Sequence, residues 1–176
     1  VIYLLYLHVC PQNDKIHFEK MLTKSVKVKL DNTFEELRLK DKKTANLVKK
    51  YHPLFDFDGD GCLPDPAIYK SGAVNGGLNP SGSITGGCRA PEFLDSSNTY
   101  FRWYRYKKFD FHMYALYFEK DQATALGGGH RHDVESFIIM FYKREPVAAG
   151  TSAHGKYDFK SWSDVPKKEK KKFIKL

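Results

Sequence analysis

Residues 127–135 read GGGHRHDVE, two histidines, two carboxylates and an arginine directly behind three glycines. On an ideal strand His130, His132 and Val134 face one way, and Arg131, Asp133 and Glu135 the other. The glycines relax that rule at its first residue, so His130 can turn towards the side carrying Asp133 and Glu135. Asp121 stands nine residues before His130 and can return across a loop to the same place. One imidazole with three carboxylates is an oxygen-dominated donor set. It suits Mg2+, Ca2+ or Mn2+ better than a structural zinc. Arg131 and His132 would then hold the carboxylates through charge-assisted hydrogen bonds. The same residues also read as a surface salt-bridge cluster opening a strand, and the pattern alone leaves both open.

Other stretches offer less. DFDGDG, residues 56–61, begins like an EF-hand loop with Asp56, Asp58, Asp60 and Gly61. Its twelfth position is Ala67, where a bidentate Glu is required, and Pro64 and Pro66 break any exit helix. It reads as an Asp-rich turn. A hydrolase could use a metal-bound water with a Glu base. The chain has no H-E-x-x-H, and Ser152 and His154 are too close in sequence to suggest a triad by themselves. A hydrolase stays open as the minority reading, beside the expectation of a non-enzymatic protein.

The elements that must position these residues follow from the hydrophobic pattern. The 176 residues suffice for one domain with a real core, and the 13 Phe and 11 Tyr lean towards β structure. The run SFIIMFY directly after Glu135 is continuously apolar, as a central strand buried on both faces would be. TYFRWYRYKK and FDFHMYALYFEK read as strands before it, and PVAAGTSAHGKYDF as strand, turn and strand after it. Asn32 three residues before Glu35, with Phe34 and Leu37 following, predicts a short surface helix. Residues 52–91 are rich in Gly, Pro, Asp and Asn, and predict a long loop.

Cys62 and Cys88 both lie in that loop. They could form a bridge closing 26 residues or remain two unpaired thiols. The opening VIYLLYLHVC, residues 1–10, tips the balance towards an oxidising compartment, since it reads as the end of a secretory signal. A buried first strand is the competing reading. Under the signal reading Cys10 would fall in or beside the removed piece. The folded domain is placed at residues 11–165 and a basic tail at 166–176. The tail segment KKEKKKFIKL supplies five of the eight net positive charges, so the basicity gives no sign of a broad nucleic-acid-binding face. Such a run is an ordinary solvated tail, with attraction to an anionic membrane as the minority reading.

At this point the chain resembles a known family. GHRHDVE is similar to the heptapeptide GHRHDWE of the necrosis-inducing, Nep1-like (NPP1) proteins. GCLPDPAI, GGLNPSG and GGCR resemble that family's cysteine-containing segment. HMYALYFEKDQ is similar to its IMYSWYFPKD, and TSAHGKY to its SAHGGY, in the same order from about Asn13 to Tyr157. The resemblance implies an all-β fold, a β-sandwich with flanking short helices, of actinoporin-like and fungal-lectin-like architecture. It implies a secreted, monomeric toxin acting at the plant plasma membrane, where it binds glycosyl inositol phosphorylceramide headgroups through a divalent cation and damages the bilayer. The metal set carried over is Asp121, His130, Asp133 and Glu135. His154 falls near the sugar-binding cleft, with Arg131 and His132 beside it, and the Cys62–Cys88 bridge matches the family's disulfide. No bond need be broken in this role.

The sequence departs from the family pattern at several points. Val134 stands for the heptapeptide tryptophan, Leu116 for that of IMYSWY, and Glu119 for the proline of FPKD. The Asp121–His130 loop is a residue longer than in many relatives, and the chain ends soon after the SAHG segment, which implies a divergent or truncated member. These departures support an alternative, a secreted homologue that binds or is sensed by the host without membrane damage.

Overall fold

The structure is a computed structural model that describes residues 26–29, 42–57, 59–153, 155–166 and 173–175. The helix predicted around Asn32–Glu35, the apolar opening, Asp58, His154 and most of the basic tail lie outside the described residues.

The chain is mainly antiparallel β structure with a few short helices, as expected. Strands β1 (Val26–Lys29), β3 (Asn98–Tyr106), β4 (Phe109–Thr124), β5 (Gly127–Tyr142), β6 (Glu145–Ala153) and β7 (Lys156–Ser161) form one sheet in the order β1-β3-β4-β5-β6-β7. Every neighbouring pair in it is antiparallel. A second, two-stranded parallel sheet joins β2 (Leu54–Asp56) to β8 (Phe173–Lys175). The SFIIMFY run is central, as its continuous hydrophobicity predicts: Ile138, between β4 and β6, is buried on one face while Phe137 and Ile139 are buried on the other.

A helix that the sequence reading did not anticipate packs on this sheet. In α1 (Lys42–Tyr51), Thr44, Leu47, Val48 and Tyr51 recur at helical spacing and turn inward, while Lys43, Asn46 and Lys50 stay exposed. The helix stops before His52-Pro53, because a residue preceding proline is disfavoured in helical geometry. Val48 and Tyr51 join Phe101, Tyr114, Phe137, Ile139, Phe141, Ala149 and Val165 in the core, with Phe55 and Trp162 packed against it. Tyr51 meets the edges of Phe141 at 5.3 Å and Trp162 at 5.8 Å. Burying each such ring contributes about 1.5–3 kcal/mol.

The long loop is tied, as one of the two cysteine readings required: Cys62 and Cys88 form a disulfide. Beyond it, α2 (Glu92–Ser96) is a single turn leading into β3.

Candidate functional site

Strands β4 and β5 are each 16 residues long, joined through Ala125 and Leu126, and they carry the predicted residues on one continuous ladder. Asp121 pairs with His130, Lys120 with Arg131, Phe118 with Asp133, and Leu116 with Glu135. Gly127, Gly128 and Gly129 all take positive φ, as the hinge reading requires. At Gly129 the need is absolute, because a Cβ there would stand 2.1 Å from the Asp121 carbonyl oxygen. A second departure from strand geometry lies inside the motif. His132 has φ 63°, so regular alternation is broken between His130 and Asp133. Nothing in the sequence marked this residue, because left-handed backbone at a histidine leaves no compositional trace.

His130 Nε2 lies 3.8 Å from Asp121 Oδ2, and both side chains are half exposed. His130 Nδ1 lies 3.1 Å from the His132 carbonyl oxygen. A carbonyl only accepts, so Nδ1 carries a proton; a neutral ring in this setting has its lone pair at Nε2, on the side of Asp121. That tautomer is the one a metal ligand needs. Farther along β5, the Ser152 hydroxyl of β6 donates to Glu135 Oε2 and accepts the Ser136 N–H at 2.7 Å, so Ser152 fixes one carboxylate oxygen. Asp133 is half buried. Among the described residues no three of His, Cys, Asp and Glu stand close enough together to hold one ion; Asp121 and His130 are the pair that meets.

Arg131 ties the strand to the disulfide-closed loop, and His132 bonds across to β4. The Arg131 guanidinium donates to the carbonyls of Gly76 at 2.9 Å and Gly77 at 3.2 Å, and to the Asn79 side-chain oxygen. His132 Nδ1 shares a 2.8 Å hydrogen bond with the Tyr117 hydroxyl. Burial, then the neighbouring Glu119 charge, pushes that hydroxyl up to about 12, so it stays protonated at neutral pH.

Loop residues missed by the sequence reading complete the frame. Buried Asn75 donates to Asp65 Oδ2 at 2.7 Å and to the Pro66 carbonyl at 3.1 Å, and its own oxygen receives the Gly77 N–H at 2.8 Å. Asp65 N–H bonds the Tyr117 carbonyl at 3.0 Å, and Leu78 N–H that of Glu119 at 2.8 Å. Burial holds the carboxyls of Asp65 and Glu119 above the usual range; hydrogen bonds from Asn75, Tyr69 and Ser96 oppose this at Asp65, and the Asp65 charge adds to it at Glu119. Farther along, Lys120 Nζ donates to the Ser83 carbonyl and the Gln122 side-chain oxygen, both at 2.8 Å. The buried Lys120 and Gln122 thus strap residues 82–83 to the same strand. His154 lies outside the described residues.

The donor types suit a hard divalent cation: one imidazole, faced by a carboxylate and followed on the same ladder by two more. The side-chain positions bring two of those four groups together.

The chain is similar to known proteins in both sequence and fold. The chain is 37% identical over 103 residues to NLP effector protein 10 of Phytophthora capsici, covering 56% of this chain and 43% of that one. The chain spans under half the length of this and other curated relatives it matches. Among solved structures, one described as a toxin fold serving as the basis for microbial attack and plant defense superposes with a TM-score of 0.64 at 31% identity, over 75% of this chain and 61% of that chain. NLPPya in complex with mannosamine superposes with a TM-score of 0.63 at 30% identity, over 77% of this chain and 61% of that chain. The pattern of the necrosis inducing protein (NPP1) family matches residues 45–175, which include all of β2 to β8, and the chain belongs to that family.

Proposed function

We propose that the chain is a secreted, non-enzymatic toxin that recognises the sugar headgroup of a plant glycosyl inositol phosphorylceramide through a divalent cation and damages the membrane carrying it. The observation that carries this reading is the Asp121–His130 pair, with His130 Nε2 turned to the carboxylate. Asp121, His130, Asp133 and Glu135 would hold the ion, Mg2+ or Ca2+, with Mn2+ a further candidate. When bound, it supplies open coordination positions that hydroxyl oxygens of a sugar can fill. The protein's own part is orientation. Ser152 fixes Glu135, Gly129 lets β5 close against Asp121, and Arg131 holds residues 76–79 beside the site. His154 would border the sugar. The mannosamine complex of NLPPya supports a glycan-headgroup ligand for this fold. Residues 11–165 would form the acting domain and 166–176 a basic tail, after a leader at 1–10.

The test is dye release from vesicles containing the plant sphingolipid. Release that stops with chelator and with Asp133→Ala is expected. Sphingolipid binding without release would replace this reading by the non-lytic one, and release that is indifferent to both treatments would remove the cation from it.

A further inference from the structure

The opposite end of the sheet carries a second feature. The β3–β4 turn (Lys107, Lys108) and the β5–β6 turn (Lys143, Arg144) lie side by side, because Phe109 at the start of β4 pairs with Tyr142 at the end of β5. Between them is a shallow depression of about 350 Å3, lined by Arg105, Lys107, Lys108, Asp110, Tyr142, Lys143 and Arg144. Asp110 does not neutralise it, since its carboxylate is held by Arg105 at 2.6 Å. Lys108 Nζ lies 5.3 Å and Lys143 Nζ 5.4 Å from the centre of the same Tyr142 ring. Two ammonium groups thus gather around one aromatic ring, and among the described residues neither shares an ion pair. An anion placed there would relieve their repulsion.

The turn chemistry gives a second, independent reason to see a built feature. Lys107, Lys143 and Arg144 all take positive φ, at 50°, 49° and 69°. Consecutive positive φ at a two-residue hairpin loop is ordinarily met by Asn-Gly, because a bulky side chain is strained there. Here the strained positions are given to cations, which local folding does not favour.

We propose that this tip is a binding site for an acidic polysaccharide, with Lys107, Lys108, Lys143 and Arg144 taking its anionic substituents and the rings of Tyr142 and Phe109 offering a face to a sugar ring. The rings favour a saccharide over a bare anion. They sit half-buried at strand level, behind the charged apexes, so no apolar group leads the tip into a bilayer. The site is separate from Asp121 by twelve steps along β4, about 40 Å at ~3.3 Å per residue. It does not depend on the cation reading.

The experiment measures binding of the full chain to polygalacturonate and to heparin, with neutral dextran and phosphatidylserine vesicles as controls. The expected result is binding to one or both polyanions, weakening with salt and absent with dextran. It should fall roughly tenfold or more in Lys107→Asn/Lys108→Gln/Lys143→Asn/Arg144→Asn. Asn tolerates the left-handed backbone at three of these positions, so the variant should keep its melting point. Should it fail to fold, Lys108→Gln/Lys143→Asn serves in its place. Binding to neither polyanion, binding unchanged in the variant, or binding to the phosphatidylserine vesicles alone would each overturn the proposal.

Discussion

Asp121 Oδ2 and His130 Nε2 stand 3.8 Å apart at directly paired positions of β4 and β5. Their meeting depends on a glycine. Gly129 has φ 124°, and its missing side chain leaves room for the Asp121 carbonyl. Gly129→Ala should therefore break the ladder at this point, at a cost of about 2 kcal/mol or more, since both backbone strain and a clash with main-chain atoms oppose it. Denaturant unfolding of the variant beside the parent measures that loss. An unchanged midpoint would mean that the strands close without the glycine.

The Cys62–Cys88 bridge closes the loop that frames the ladder, across a sequence separation of 26. Reducing it should cost about 3 kcal/mol by restoring freedom to the unfolded chain. A thermal melt with and without reductant gives the shift directly. Mass measurement showing both cysteines as free thiols in the unreduced protein would contradict the pairing.

His112 is fully buried, with its ring 4.5 Å from that of Phe141 and 5.4 Å from that of Phe101, and neither ring nitrogen has a hydrogen-bond partner among the described residues. Burial, opposed weakly by Asp110, lowers its pKa from 6.5 to about 4. The unfolded chain therefore takes up this proton first as pH falls. Stability present above pH 6.5 should be lost progressively between 6.5 and about 4, by about 3 kcal/mol, and change little through this residue below that. Unfolding measured at intervals across this range tests it. His112→Phe, which suits the aromatic surroundings, should flatten the curve; a slope unchanged in that variant would assign the proton elsewhere.

Arg131 holds the carbonyls of Gly76 and Gly77 and the side chain of Asn79. Arg131→Ala should loosen this part of the loop while costing only about 1 kcal/mol of global stability, because the contacts are exposed. Limited trypsin digestion should then cut faster after the exposed Lys70, at nearly unchanged melting temperature. Equal cutting rates would show that the loop is held by Asn75 and the backbone bonds alone.

Much of the sheet was legible because its signals are local. SFIIMFY announced a central strand by its continuous apolar run, and the aromatic alternation on either side located β3 and β4. The two departures from the family's tryptophans have opposite settings: Leu116 is fully buried and Val134 is exposed. Only the first could be replaced by simple core packing. The helix α1 was missed although Thr44, Leu47, Val48 and Tyr51 carry the spacing, since four lysines dilute its hydrophobicity. The residues proposed as donors stood out by their types. The contacts of Asn75, Tyr117 and Ser152 were not, because each depends on a partner distant in sequence. The left-handed backbone at His132 and at the lysine turns had no sequence signal at all.

The central claim is that Asp121, His130, Asp133 and Glu135 share one divalent cation. Isothermal titration of Mg2+ and Ca2+ into the full chain tests it most directly. The account predicts one saturable binding event for at least one of the two ions, abolished in both Asp121→Asn and Asp133→Ala with the fold retained. No binding heat from either ion into well-folded protein, or heat that persists in both variants, would contradict it.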